Sequence, residues 1–145
     1  MTIRTCRSII EGKETLSCAA TLSVAEAASL MREHRTGAII IVAEDGRLAG
    51  IFTERDALFR VIADGHDPRS TPVGEVMTAN PTSIAPDQPF DRALSLMYEG
   101  RFRRVPVVEN GRALGIVSTE DATSEELEQF MYATIAEQQA RNILL

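Results

Sequence analysis

The sequence contains few of the residues that covalent or metal-dependent chemistry usually requires, with 2 cysteines and 2 histidines in 145 residues. Cys6 and Cys18 form no CxxC motif. A disulfide between them is geometrically feasible, but two reduced thiols in a cytoplasmic protein are the expected state. His34 and His66 stand alone. We therefore expect no histidine-based metal site and no required cofactor.

Long apolar runs and an excess of positive charge are also missing. No apolar run approaches the roughly 20 residues of a membrane-spanning helix, and residues 1–13 contain no signal-peptide core. We therefore expect neither membrane insertion nor export. A formal net charge of -6 argues against a surface that follows the phosphates of DNA or RNA. The 44% hydrophobic and 25% charged content is typical of one globular domain or two small halves.

Two segments of the chain repeat each other. The heptapeptide GIFTERD at 50–56 returns as GIVSTED at 115–121, 65 positions later. The octapeptide VAEAASLM at 24–31 parallels FDRALSLM at 90–97, 66 positions later. Self-similarity of this kind indicates two copies of one structural unit. We predict two repeats and a C-terminal segment, with the ranges 4–66, 70–124 and 125–145.

Each repeat carries the pattern of a helix, a strand, a turn, a strand and a second helix. Ser23, with Glu26 three residues later, predicts a capping box at the first helix. Thr71 before Pro72 predicts an N-cap for a helix that opens the second repeat. The alternation predicts an α/β sandwich in which helices cover each small sheet. The other predicted elements are strands at 38–42, 48–52, 105–108 and 113–117, and a helix at 56–64 closed by Gly65.

The C-terminal segment predicts an amphipathic helix that begins at Ser124 with acidic residues in its first turn. Two interpretations of its apolar stripe stay open. The stripe packs on the chain's own domain, or it is the contact of a homodimer, which the apolar end of the chain favours. The stripe consists of Leu127, Phe130, Met131, Ile135 and Ala136.

The repeated motif places a hydroxyl residue and an aspartate where a strand turns into a helix. Thr53 with Asp56, and Ser118 with Asp121, match the capping-box pattern, and helix capping alone would explain both pairs. The same geometry suits a nucleotide. A helix N-terminus holds phosphate, and a carboxylate one turn later accepts ribose hydroxyls.

Basic residues precede one strand in each repeat. Residues 101–104 read RFRR, and Arg35 holds the corresponding place in the first repeat. Solvated arginines would contribute little energy. Alternatively they form an anion clamp, because a guanidinium binds phosphate through two parallel hydrogen bonds. Glu54 and Glu120, inside the repeated motif, argue against a highly charged ligand.

In this order, and present twice, the motifs resemble a tandem pair of CBS domains (cystathionine β-synthase domains), also called a Bateman module. The resemblance covers about residues 4–124 and rests also on VPVV at 105–108 and VMTxxPT at 76–82. It is strongest to stand-alone bacterial CBS-pair proteins. It implies an α+β fold of two βαββα repeats about a pseudo-two-fold and a homodimeric disk. It also implies binding of AMP, ADP, ATP, NAD(H) or S-adenosylmethionine between the repeats.

The resemblance also implies roles for individual residues. The family's ribose-binding aspartate corresponds to Asp56 and Asp121. Its hydroxyl residue corresponds to Thr53 and Ser118. Its phosphate ligands correspond to Arg35 and Arg101. Thr78 is a weaker candidate. The other residues implied in the pocket or beside the motifs are Leu16, Cys18, Gly37, Ala38, Thr82, Ser83, Arg104, Val105, Pro106, Ile116 and Glu120.

We therefore predict a non-enzymatic regulatory module. An adenosine-containing ligand would change the angle between the repeats, and an unidentified partner protein would read that change. The alternative is a ligand-independent dimeric interaction scaffold. An enzyme is less well supported, because the sequence has no P-loop, no metal-ligand cluster and no nucleophile–base pair. Of the two clefts we favour the one containing Asp121, because the resemblance places Gly37 and Ala38 opposite it.

Overall fold

Two small α+β halves and a long C-terminal helix make up the protein, seen in a computed structural model that describes residues 3–144. The first half contains α1 (Cys6–Ile10), β1 (Ser17–Ala19), α2 (Val24–Glu33), β2 (Ala38–Val42), β3 (Leu48–Thr53) and α3 (Glu54–Asp56), which continues as a π-helical segment (Ala57–Ile62). The second half contains α4 (Val73–Val76), β4 (Thr78–Ala79), α5 (Phe90–Gly100), β5 (Arg104–Glu109), β6 (Arg112–Ser118) and a 3₁₀ turn (Thr119–Asp121). The last helix is α6 (Ser124–Leu144).

The strands form two separate sheets. In the first, β1 to β4 lie in chain order, with β1 parallel to β2 and the other neighbours antiparallel. In the second, β5 and β6 are antiparallel, and Ile84 adds a single parallel bridge to Val107. The predicted α+β class is confirmed, and the first repeat has the βαββα order. In the second repeat the predicted opening strand is reduced to that bridge, and the closing helix to the 3₁₀ turn.

Side-chain caps determine where several helices begin. Ser23 Oγ accepts a hydrogen bond from the N–H of Glu26 at 3.1 Å, so the predicted cap of α2 is present. The predicted N-cap at Thr71 is wrong. Pro72 has an extended conformation, with a ψ of 139°, and occupies the N-cap position itself, so α4 begins one residue later. The carbonyl of Thr71 instead accepts from the N–H of Val24 at 2.9 Å and ties the linker to α2.

Each half completes its hydrophobic core with a helix from the start of the other repeat. Cys6, Ile9 and Ile10 of α1 are buried in the second core, among side chains of α5, β5 and β6. Val73 and Val76 of α4 are buried in the first core, among side chains of α2, β2 and β3. The predicted ranges therefore describe repeats of sequence, whereas the two cores cross the borders between them.

Repeat-related glycines make room for these exchanged segments. A Cβ on Gly115 of β6 would lie 2.9 Å from the Cβ of Ile10. A Cβ on Gly50 of β3 would lie 2.7 Å from the carbonyl oxygen of Thr78. Both distances are well below the roughly 3.5 Å of a favourable contact between heavy atoms. The glycine that opens the repeated motif thus allows the other half's backbone and side chains to approach closely.

The two hairpin turns contact each other reciprocally. The N–H of Leu48 donates to the carbonyl of Gly111 at 2.9 Å. A guanidinium N–H of Arg112 donates to the carbonyl of Asp45 at 2.9 Å, and Arg47 lies against Gly111. The reciprocal contact is that the glycine of each turn lies against an arginine of the other, Gly46 against Arg112 and Gly111 against Arg47. Such an exchange is the pattern that two-fold symmetry produces.

The beginning of α6 is anchored to the second half. The N–H of Glu126 donates to Thr123 Oγ1 at 3.1 Å, and Arg4 forms an ion pair with Glu126. The hydrogen bond from Arg4 holds the pKa of the Glu126 carboxyl below its usual value. The pair therefore stabilises the fold above the usual pKa of a glutamate, and this contribution is lost as the pH falls through the lowered pKa.

The predicted apolar stripe of α6 is only partly covered. Phe130 packs edge-on against Tyr98 of α5, with the ring centroids 5.9 Å apart. Met131 and Ile135 are 60% and 48% exposed, and the neighbouring Tyr132 is 68% exposed. The helix thus packs on its own domain near its beginning and presents apolar side chains to the surroundings farther along.

Candidate functional site

Two clefts lie between the halves, one beside each copy of the repeated motif. The Asp56 cleft has a cavity volume of about 890 Å³, and the Asp121 cleft one of about 350 Å³. Each takes its walls from both halves. The Asp56 cleft is lined by residues 51, 53–56, 58–60, 78, 80–82 and 100–104. The Asp121 cleft is lined by residues 13–16, 35–38, 104, 116, 118, 120 and 121.

Asp56 is a buried carboxylate that accepts several hydrogen bonds at the beginning of α3. Its Oδ2 accepts from the N–H of Thr53 at 3.0 Å, and its own N–H donates to Thr53 Oγ1 at 3.3 Å, which completes a capping box. Thr78 Oγ1 donates to Asp56 Oδ1 at 3.2 Å, and Arg60 Nε lies 3.5 Å from the same oxygen. These donors compensate a charge that is 7% exposed and would be costly to bury alone.

Asp121 has the same capping geometry but a different neighbour. Its Oδ2 accepts from the N–H of Ser118 at 2.7 Å. Its Oδ1 forms an ion pair with the ammonium of Lys13. The residue of the second repeat that corresponds to Lys13 is Ala79, and the cation beside Asp56 is instead Arg60 of its own half. A ligand hydroxyl that reached Oδ1 of Asp121 would compete with the Lys13 ammonium for that oxygen.

Arginines after α5 line the Asp56 cleft from the second half. Arg101 has a left-handed backbone with a φ of 57°, and the repeat-related Arg35 has a φ of 51°. Within residues 3–144, the guanidinium groups of Arg101 and Arg103 have no hydrogen-bond or ion-pair partner. Arg104 lines both clefts, and its Nη2 lies 2.9 Å from an Oε1 of Glu54. The rim therefore holds two cations that are available to an anion.

The backbone of Arg101 offers a test that separates binding from folding. A left-handed conformation costs an L-residue with a Cβ about 1–2 kcal/mol, and glycine escapes this cost. Arg101→Gly is therefore expected to leave the free energy of unfolding unchanged or raise it by about 1 kcal/mol, while it weakens anion binding. Urea unfolding and ligand titration measure the two effects. Arg101→Ala removes the same charge, keeps the strain and is expected to be the less stable variant. A destabilised glycine variant would contradict this account.

Most of the residues predicted to bind ligand line one of the clefts. The Asp56 cleft includes Thr53, Asp56, Thr78, Thr82, Arg101 and Arg104. The Asp121 cleft includes Leu16, Arg35, Gly37, Ala38, Arg104, Ile116, Ser118, Glu120 and Asp121.

Four predicted residues line neither cleft. Val105 and Pro106 of β5 have fully buried side chains, and Val105 belongs to the second core. Cys18 packs against the first core, and Ser83 is exposed outside both clefts. We leave these four side chains out of the proposed site.

Sequence reasoning missed other lining residues. The helix predicted at 56–64 is π-helical over Ala57–Ile62 and ends there, and Phe59 within it lines the Asp56 cleft. The guanidinium carbon of Arg55 lies 5.5 Å from the centroid of that ring. The aromatic residue after the motif was an available signal, because nucleotide bases stack on such rings. Lys13 gave no signal, since it meets Asp121 across 108 positions of sequence.

Other reactive groups lie away from the clefts. Among the lining residues that the structure describes there is neither a cysteine nor a histidine. Burial raises the pKa of the Cys6 and Cys18 thiols to about 11, so both are protonated at neutral pH. In the described part of the chain, no three His, Cys, Asp or Glu side chains are grouped to hold a metal ion. None of the helices over residues 3–144 has the length and apolar character to cross a membrane.

Comparison with known proteins agrees with the two-repeat architecture. The family model of the CBS domain matches the chain twice, at residues 8–63 and 73–128. The chain is 32% identical over 127 residues to the uncharacterized protein MK0525 of Methanopyrus kandleri, which covers 87% of this chain and 64% of that protein. It is 39% identical over 105 residues to the CBS domain-containing protein YhcV of Bacillus subtilis, with 72% and 74% covered.

The fold is similar to that of a solved CBS domain pair. The pair of protein MJ0100, in complex with 5′-methylthioadenosine and S-adenosyl-L-methionine, matches with a TM-score of 0.74 and 30% sequence identity. The match covers 83% of this chain and 93% of that one. The chain spans just under two thirds of MK0525 and about three quarters of YhcV. The two family matches and the shared fold show that the chain belongs to the CBS-domain family and carries a tandem pair of these domains.

Proposed function

We propose that this chain is a non-enzymatic regulatory module that binds an adenosine-containing ligand in the Asp56 cleft. The observation that carries the proposal is one cleft of about 890 Å³ that combines a buried carboxylate at a helix start with arginines from the other half. A ribose diol and a phosphate are recognised by these two kinds of group. The ligands of the MJ0100 pair, at 30% identity, support an adenosine-containing class.

In this proposal Asp56 holds the ribose. Its Oδ1 is bonded by Thr78 at 3.2 Å and contacted by Arg60 at the longer distance of 3.5 Å. Ribose hydroxyls are donors and can replace either side chain, so that the carboxylate stays hydrogen-bonded. Phe59 and Phe102 offer aromatic faces to the adenine ring. Thr53 supports Asp56 through the capping box.

Binding would change how the two halves lie against each other. The ligand contacts the beginning of α3 in the first half and residues 100–104 in the second. A ligand that binds one relative orientation more tightly shifts the population of molecules toward it. An unidentified partner protein would read that orientation. The module would then act on its partner in trans.

Calorimetric titration tests the proposal directly. The purified chain is titrated with AMP, ATP, NADH and S-adenosylmethionine, and saturable heat is expected with at least one of them. A small molecule retained through purification, identified by mass spectrometry, would name the ligand. If none of the four gives saturable heat, the proposal is wrong.

We further propose that the chain is not catalytic and that it works in the cytoplasm. The lining of both clefts, as far as the structure describes it, offers no thiol or imidazole, and the thiols of the buried Cys6 and the partly buried Cys18 are protonated. Both cysteines are free, as expected for a reducing compartment.

We also propose that a second copy of the chain covers the exposed apolar side of α6, which would give a homodimer. Changing Met131 and Ile135 to glutamate is expected to turn a particle of twice 15.9 kDa into one of a single chain. Burying two added carboxylates at an interface would be strongly unfavourable. Light scattering measures the mass.

A matched control adds the same two charges at exposed polar positions of α6. Gln138→Glu with Gln139→Glu is expected to leave the dimer intact. A wild-type monomer would refute the homodimer. A dimer that persists in the Met131 and Ile135 variant would place the interface elsewhere. A dimer that binds none of the nucleotides would favour the second candidate function, a ligand-independent interaction scaffold.

A further inference from the structure

We propose, resting on the function above, that the Asp56 cleft selects adenosine ligands with a chain of two or more phosphates and that the Asp121 cleft does not. Within residues 3–144, the Asp56 cleft is lined by five arginines and two carboxylates. By the same count, the Asp121 cleft is lined by three cations and three carboxylates. The first lining therefore has a surplus of positive charge, whereas the second is balanced.

The difference in charge between the two clefts arises at repeat-related positions. Arg55 lines the Asp56 cleft, and its counterpart 65 positions later, Glu120, lines the Asp121 cleft. Arg103 lines the Asp56 cleft, and its counterpart 66 positions earlier is Gly37. The same fold thus presents cations at one cleft where the other has an anion or no side chain. The capping geometry does not require this difference in charge, because both motifs form the same capping box.

Three of the five arginines of the Asp56 cleft have no ion-pair partner in the described residues and can bind phosphate. Arg101 and Arg103 have no side-chain hydrogen-bond or ion-pair partner within the described residues, and Arg55 stacks on an aromatic ring. Glu54, which the sequence counted against a highly charged ligand, is paired with Arg104 at 2.9 Å. Each further phosphate of a chain can accept another charge-assisted hydrogen bond from these groups.

The Asp121 cleft lacks this surplus. Lys13 is paired with Asp121, and Arg104 is paired with Glu54. Among the described lining residues, Arg35 is the cation left without a side-chain partner, and two further carboxylates line the same cleft. One free guanidinium does not favour a chain of phosphates here, because the nearby carboxylates carry the same charge as the phosphates and repel them.

Titration of the full chain with AMP, ADP and ATP tests the selection. EDTA keeps the phosphates free of divalent metal, and the ionic strength is held constant. We expect ATP to bind about tenfold or more tightly than AMP, since charge-assisted hydrogen bonds are the stronger ones. We also expect saturation at one ATP per chain and a steeper salt dependence for ATP than for AMP.

Matched variants identify the group responsible. Arg103→Gln is expected to weaken ATP binding about tenfold and to change AMP binding less than twofold. Arg92→Gln makes the same change at an exposed arginine of α5 that lines neither cleft, and is expected to bind both nucleotides like the wild type.

Each other result has a definite meaning. Equal affinities for the three nucleotides, or two equivalent ATP sites per chain, overturn the selection and leave the proposed function standing. Equal losses of AMP and ATP in Arg103→Gln also overturn it, because that arginine would then not contact the phosphate chain. Binding of S-adenosylmethionine without any of the three nucleotides has the same consequence. If NADH and S-adenosylmethionine fail as well, the proposed function itself is wrong.

Discussion

Replacing Asp56 by asparagine is expected to weaken binding of the adenosine-containing ligand by about 10- to 100-fold. A hydrogen bond to a charged group contributes about 1.5–3 kcal/mol, which corresponds to that factor. The amide keeps an oxygen that accepts from the N–H of Thr53, so the beginning of α3 is expected to persist. Calorimetry with the ligand that the wild type binds measures the loss, and a melting curve checks the fold.

Two further aspartates make this result specific. Asp64→Asn is the same chemical change at an exposed residue outside both clefts, and wild-type affinity is expected. Asp121→Asn distinguishes the clefts. If Asp121→Asn loses the ligand while Asp56→Asn keeps it, the ligand occupies the cleft that the sequence favoured, and our assignment to the larger cleft fails.

Replacing Ile9 by alanine is expected to lower the free energy of unfolding by about 2–5 kcal/mol, the usual cost of truncating a buried isoleucine. Ile9 is 7% exposed and lies in the second core, although it belongs to the start of the first repeat. We therefore expect the loss to appear in the second half, as faster hydrogen exchange of β5 and β6. Urea unfolding gives the total, and mass spectrometry of deuterated peptides gives its location.

The same segment supplies the control. Ile3 is 65% exposed, so Ile3→Ala is expected to change stability by less than about 0.5 kcal/mol. Equal effects of the two substitutions would mean that α1 does not belong to the second core in solution. Faster hydrogen exchange confined to the first sheet would also contradict the packing of α1 in the second core.

Local sequence patterns and the internal repeat were sufficient to predict much of the fold. Ser23 and the motif residues Thr53 and Ser118 lie at element borders, where the chain itself provides donors and acceptors, so capping patterns located them. The first strand of each hairpin is a run rich in β-branched residues, and the turn after it places the second strand. Comparing one repeat with the other then placed Asp56 and Asp121 at equivalent positions.

What the sequence could not reveal depends on contacts between distant residues. The pairing of Lys13 with Asp121 joins residues 108 positions apart, and no periodicity records it. The sequence pattern assigns the N-cap of α4 to Thr71 because threonine is a common capping residue, whereas the extended conformation of Pro72 makes Pro72 the N-cap. The different sizes of the two clefts arise from side chains of both halves, so motif identity alone made the clefts look equivalent.

The exchange of helices has a consequence for synthesis of the chain. Arg4 donates to the carbonyl of Asp121, 117 positions later, and Ile10 lies against Gly115 of β6. Helix α1 therefore leaves the ribosome before any of the elements that it packs against, which are α5, β5 and β6. Its apolar side chains stay exposed to water until those elements of the second half have been made. Contacts of such large sequence separation slow folding and prolong the exposure of aggregation-prone surface, which is the kind of surface that chaperones cover.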